Sequence, residues 1–186
     1  MKKQTVNVTL EGLTPIMFDR YSGDNNTALK TEDKLYFAPD GKSIVMPAVN
    51  LMSFLSAQNT VSAPKRVLPS KIYKNVTAAM LSYVTIQPWP AIPFLAKGEQ
   101  VVFLGFNEQI FVHKSVARLP KGIPNPKERP VLVTPWSLEF KLLVIENKDF
   151  SMKMLEEIWR EGGIAVGLGT FRGLFGKFEV TTWQIT

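Results

Sequence analysis

Apolar and polar residues alternate from Gln4 to Gly12, with Val6, Val8 and Leu10 sharing one side. A period of two sends successive side chains to opposite faces of a strand, so this stretch predicts a half-buried β-strand. A polar, turn-rich stretch follows. Two short apolar runs around Pro39-Asp40-Gly41-Lys42 then predict a hairpin over 35–47. From Pro47 the period changes. Ala48, Leu51, Met52 and Leu55 fall at i, i+3, i+4 and i+7, which predicts an amphipathic helix over 47–59 with proline in its first turn. Residues 60–75 read as a loop that carries Lys65, Arg66, Lys71 and Lys74 and no acid. Residues 80–88 read as a strand, and 100–106 and 109–119 as two more around a turn at Asn107-Glu108. The segment PKGIPNPKERP, 120–130, has four prolines and reads as an irregular basic loop. One or two strands are expected over 131–146. Met152, Leu155 and Trp159 share a helical face, Ser151 is placed to cap that helix, and Gly162-Gly163 to close it. Phe178, Val180 and Thr182 alternate in a final strand.

Stripped of loops, the order is β-α-β-β-α-β, the ferredoxin-like (RRM-like) arrangement. The expected class is α+β: an antiparallel sheet with both helices on one face. The length of 186 residues suits one domain over 1–186, with insertions at roughly 19–46 and 107–131.

Composition narrows the function. The chain is 45% hydrophobic, enough for an ordinary core. It has no cysteine and one histidine, which removes thiol chemistry and leaves too few soft ligands for structural zinc, so no metal is expected. The opening MKKQTVNVTL lacks an apolar signal region, and no run approaches the roughly 20 apolar residues of a membrane span. The expected location is the cytoplasm, away from membranes. Net charge is +6 and the isoelectric point about 9.5. Such a balance fits a polyanionic partner if the charge is clustered.

Six of the 12 glycines fall between Gly162 and Trp183, in GGIAVGLGTFRGLFGKFEVTTW. No cofactor motif accounts for them. A phosphate-binding P-loop needs Ser or Thr after Gly176-Lys177, where Phe178 stands, and glycine at 171, where Phe171 stands. The dinucleotide fingerprint needs glycine at 172, which is Arg172. A tight turn between helix and strand explains one or two glycines. Amides left uncovered at Gly167, Gly169, Gly173 and Gly176, beside the cations Arg172 and Lys177, suit a phosphate backbone.

This segment resembles the C-terminal glycine-rich loop of the RAMP superfamily, the RNA-binding proteins of CRISPR systems. That loop approximates Gly-hydrophobic-Gly, five residues, Gly-hydrophobic-Gly. Gly167-Leu168-Gly169 matches the first half, and Phe175-Gly176-Lys177 keeps one glycine of the second. The strand running into Pro47 and a helix, and VTLEGLTPIMFDR, also resemble backbone-type RAMP subunits. The resemblance implies a ferredoxin-like core, single-stranded RNA held across the subunit, and assembly as a repeating subunit of a ribonucleoprotein or homo-oligomer. It fits a CRISPR-associated protein or a stand-alone version from a phage or mobile element.

A second basic stretch, IFVHKSVARLPKGIPNPKER, carries Lys114, Arg118, Lys121, Lys127 and Arg129. With Lys65 and Arg66 it would extend a phosphate track, or simply form solvated loops. Trp89, Phe94, Phe111, Trp136, Trp159 and Trp183 are rings able to stack bases, although Trp159 falls on the core side of its helix; Phe171 and Phe175 sit in the glycine segment itself. His113, the sole histidine, is a candidate general acid or base for metal-independent RNA cleavage with Lys114 beside it. Asp19 and Asp24 lie where some backbone-type relatives carry a cleaving aspartate. The reading is RNA binding without catalysis. An endoribonuclease of RAMP type, or a phage interaction or assembly module, is the alternative.

Overall fold

The computed structural model describes residues 2–58, 61–118 and 120–186, with Arg118 described through its backbone alone. In chain order the elements are β1 (Lys3–Gly12), β2 (Ile16–Met17), β3 (Val45–Pro47), α1 (Ala48–Phe54), α2 (Ala63–Val67), α3 (Tyr73–Tyr83), β4 (Val84–Gln87), β5 (Ala91–Ala96), β6 (Glu99–Gln100), β7 (Ile110–Arg118), β8 (Pro124–Leu132), β9 (Ser137–Ile145), α4 (Met152–Ala165) and β10 (Phe178–Ile185).

Alternation in sequence becomes alternation in burial. Val6, Val8 and Leu10 of β1 face the core, as do Leu138, Phe140, Leu142 and Val144 of β9. β1 lies between β10 and β9, antiparallel to both. The far side of β9 is shared: β4 pairs with 141–144, and β5 with 137–138. Last strand, first strand, third strand, then the second strand in two pieces: this is a ferredoxin-like α+β core. Both flanking helices cover one face. Phe54 of α1 stacks on Trp159 of α4 with ring centroids 4.8 Å apart, and Trp159 also meets Phe140 of β9 and Phe178 of β10. Burying side chains of this size contributes roughly 1.5–3 kcal/mol each.

Several elements differ from the sequence expectation. The first helix ends at Phe54, short of 59. Lys65 and Arg66 belong to helix α2, not to a loop, and Pro64 sits in its first turn. Met80 to Tyr83 finish helix α3, and only Val84–Gln87 is strand. Val101 to Phe106 are mostly irregular, with Val101 bonded across to Ile44 and Phe94. α4 begins as expected, with Ser151 Oγ accepting from the Met154 amide at 3.3 Å. It does not close at Gly162-Gly163 but continues to Ala165, and Gly167, at φ +79°, turns the chain out of the helix.

The Pro-rich stretch expected to be irregular is strand β8. With β7 and β2 it forms a second, three-stranded sheet. β7 and β8 pair from Ile110↔Leu132 to Arg118↔Pro124, a long hairpin. Proline is tolerated there because of parity. The Pro130 carbonyl accepts from the Phe18 amide, on the side away from β7. Pro124 and Pro126 share that parity, so their missing N–H groups fall on the outer edge and remove no bond to β7.

Candidate nucleic-acid interface

The glycine segment is held by its own protein. The Gly167 amide donates to the Gly162 carbonyl, that of Gly173 to Val166, and that of Gly176 to Pro15. Leu168 donates to Gly176, Thr170 to Met17, and Lys177 to Thr14 Oγ1. The loop between β1 and β2 is thus stitched to the segment between α4 and β10. A donating amide is not open to a phosphate, so the amides of Gly167, Gly173 and Gly176 are occupied. Among the described residues the Gly169, Phe171, Arg172 and Leu174 amides have no such partner.

The Arg172 side chain is the opening of this packed segment. Its Nε donates to the Gly169 carbonyl at 3.3 Å, and no carboxylate pairs with it among the described residues. It lines a cleft of about 230 Å³ with Asn50, Ser53, Tyr36, Thr170 and Asp19. Burial pushes its pKa down, because the charge is partly withdrawn from water and gains no anion in return. Asp19, the acid of this cleft, is taken: Arg129 Nε bonds its Oδ2 at 2.7 Å, with the two side chains 29% and 14% exposed. A half-buried guanidinium among hydroxyl and amide groups has the chemistry to take a phosphate or carboxylate. Asn50 and Ser53 were not singled out by the sequence reading. Their signal was available, since i and i+3 put both on the polar side of α1.

The other candidates distribute as follows. Lys177 is half-buried, and its carbonyl accepts from Leu13 and Thr14. His113 of β7 is half-buried with its ring edge-on to Phe175, centroids 5.4 Å apart, so the hairpin leans on the glycine segment. Among the described residues no hydrogen bond or ion pair engages the His113 side chain, while its backbone lies in the β7–β8 ladder opposite Arg129. Lys114 pairs with Glu128 at 2.9 Å, which holds the Glu128 carboxyl below its usual range. Arg118 ends β7, its side chain outside the described residues, and Lys121 lies in the turn of the hairpin. Lys65 and Arg66 are on α2, whose Ala63 packs against Gly162 of α4. Asp24 turns its own loop, accepting from the amides of Asn26 and Thr27. Phe94, Trp136 and Trp159 are buried core rings, whereas Trp89 is 62% and Phe171 55% exposed. Among the described residues no cluster of His, Asp or Glu is placed to hold a metal, and no helix is long and apolar enough to cross a membrane.

No protein-family model and no curated protein matches the chain. Among solved structures, a chain of the type III-B Cmr-beta complex, seen by cryo-EM bound to cognate target RNA, is similar. It shares 10% sequence identity with a TM-score of 0.58, over 99% of this chain and 61% of that chain. This chain therefore spans about three-fifths of the length of that neighbour. At such identity the likeness is one of fold.

Proposed function

We propose that this protein binds single-stranded RNA without cleaving it, as a one-domain, RAMP-type subunit of a cytoplasmic ribonucleoprotein. The observation that carries the reading is Arg172: a half-buried cation with no carboxylate partner among the described residues, in a polar cleft beside the glycine segment. A phosphate would supply the missing anion, with Asn50 and Ser53 as further polar partners. The occupied amides of Gly167, Gly173 and Gly176 make those glycines the scaffold of the site, and Gly169 keeps the one amide of the four without an internal acceptor. Lys177, the hairpin residues Lys114, Arg118 and Lys121, and Lys65 and Arg66 on α2 extend the track. The fold neighbour is described as bound to target RNA, which supports the same class of partner here. His113 contacts the ring of Phe175 rather than an acid-base partner, so the hairpin reads as grip rather than catalyst.

Arg172→Ala removes one phosphate contact. Its affinity for a 12-nucleotide oligoadenylate should fall, and the slope of log affinity against log salt should flatten by about 0.7. The measurement is fluorescence anisotropy across a salt series, with the melting temperature followed beside it. Unchanged affinity and slope in a normally folded variant would overturn the reading.

A further inference from the structure

The face of the large sheet away from α1 and α4 carries a polar row. Register places Gln87 of β4 opposite Lys141 of β9, Lys141 opposite Asn7 of β1, and Asn7 opposite Gln184 of β10. Cross-strand neighbours of this kind stand about 5 Å apart, so the row is two amides, a cation between them, and a third amide. The chain after β4 brings Trp89 against the end of this row. Trp89, Gln87, Lys141, Asn7 and Glu139 line a cleft of about 630 Å³. Among the described residues the Trp89 ring meets no other ring.

An indole spread in water beside amides and an ammonium is a specific chemistry. The indole offers a flat apolar surface. The amides of Gln87 and Asn7 each offer a donor and an acceptor, which match the edge of a heteroaromatic ring. Lys141 offers a point charge for the phosphate attached to it, and Glu139 opposes any strand laid too far along β9. Pro88 adds apolar surface beside the indole, and the polar row supplies hydrogen-bonding groups that an apolar protein partner would leave unused.

The chain that leaves the cleft leads towards the groove beside Arg172. Tyr36 lines the Arg172 cleft and the adjoining groove that contains Pro47 and Pro90. Pro90 follows Trp89, and its carbonyl is fixed by the Ala48 amide at the start of α1, at 2.8 Å. Pro90 lines that groove, and Trp89, the residue before it, lines the cleft on the far face of the sheet.

We infer that the Trp89 cleft is a base-stacking subsite, in which one base of the bound single-stranded RNA lies on the indole with its edge against Gln87 and Asn7. This rests on the RNA-binding reading, and it assigns a second contact of different character. Arg172 holds phosphate; Trp89 holds a base.

The test is a titration of the full chain with a 12-nucleotide oligoadenylate. Trp136 and Trp159 are buried at 1% and 0% exposure and Trp183 packs half-buried against the core, so stacking on Trp89 should quench the most exposed part of the emission. Trp89→Ala should lose that quenching and weaken binding roughly 5- to 100-fold, the range of one stacked base. Its salt slope should equal that of the wild type, because no phosphate contact is lost. Trp89→Phe should retain most of the affinity. If the wild type binds oligoadenylate and Arg172→Ala flattens the slope, but Trp89→Ala binds as the wild type does, the subsite is wrong and RNA binding stands. If the wild type does not bind, both fall. Quenching by AMP at the concentrations where the oligonucleotide quenches would make this a free-nucleotide site, and a change in sedimentation without a change in RNA affinity would make it a protein contact; either overturns the inference.

Discussion

At Gly176 a β-carbon would lie 1.9 Å from the Leu168 carbonyl oxygen, and φ is +74°. At Gly169 it would lie 2.5 Å from the Met17 carbonyl oxygen, with φ +77°. Both obstacles are backbone, which cannot swing aside. Gly176→Ala should therefore cost about 2–4 kcal/mol, combining a left-handed backbone with a forced parting of two bonded segments. Gly173 is the control. Its φ is +91° but nothing lies within 4 Å of an added β-carbon, so Gly173→Ala should cost about 1 kcal/mol from the backbone alone. Chemical denaturation of the two variants reads the difference; equal losses would mean that conformation matters and crowding does not. The number of glycines was enough to announce that backbone comes close. The identity of what comes close was not legible, because the carbonyls of Pro15 and Met17 are far away in sequence and only pairing of β1 with β10 brings them there. Arg172 was legible as a cation. Its lack of a carboxylate partner is a property of the fold.

Elements were legible where they are long. β1, β9, α4 and β10 carry enough residues for a period of two or 3.6 to repeat, and they form three adjacent strands of the large sheet and the helix that covers them. α2 has five residues, which is little more than one turn, so no period could show. Its mark was Pro64 after Ser62 and Ala63, a helix start obscured by the following basic residues. β8 was hidden by a rule applied without position, since proline disfavours central strands and is admitted at an edge. The packing of α2 on α4 yields a prediction in which two effects compete. Gly to Ala inside a helix ordinarily gains about 1 kcal/mol. At Gly162 the new methyl would stand 2.4 Å from the Ala63 Cβ and 2.9 Å from Phe54 Cζ. Overpacking of that order costs roughly 1–3 kcal/mol, and it meets the tightest part of the aromatic cluster, so Gly162→Ala should lower the melting temperature. A raised melting temperature would mean that α2 is held too loosely to resist the methyl.

Across the whole molecule, the hairpin of β7 and β8 is fastened to the core by three different means. Ile16 and Met17 of β2 pair with its base. Arg129 holds Asp19, and Phe175 meets His113. A long hairpin secured at several points is a stiff arm, which keeps its basic residues at a fixed offset from Arg172. The outer edge of β8 has a consequence for what such an arm does in a concentrated solution. An open strand edge is a template on which further strands polymerise. Here Pro124 and Pro126 present no hydrogen to a newcomer, Lys34 Nζ occupies the Glu128 carbonyl at 2.5 Å, and Phe18 occupies that of Pro130. Changing Pro124 and Pro126 together to Thr should raise light scattering on standing above that of the wild type; no rise at the same concentration would mean that Lys34 closes the edge unaided. With that border sealed, copies that join strand to strand are left the other open edges, β7 and β10 among them, and are denied the face on which hairpins of this length stack into fibrils.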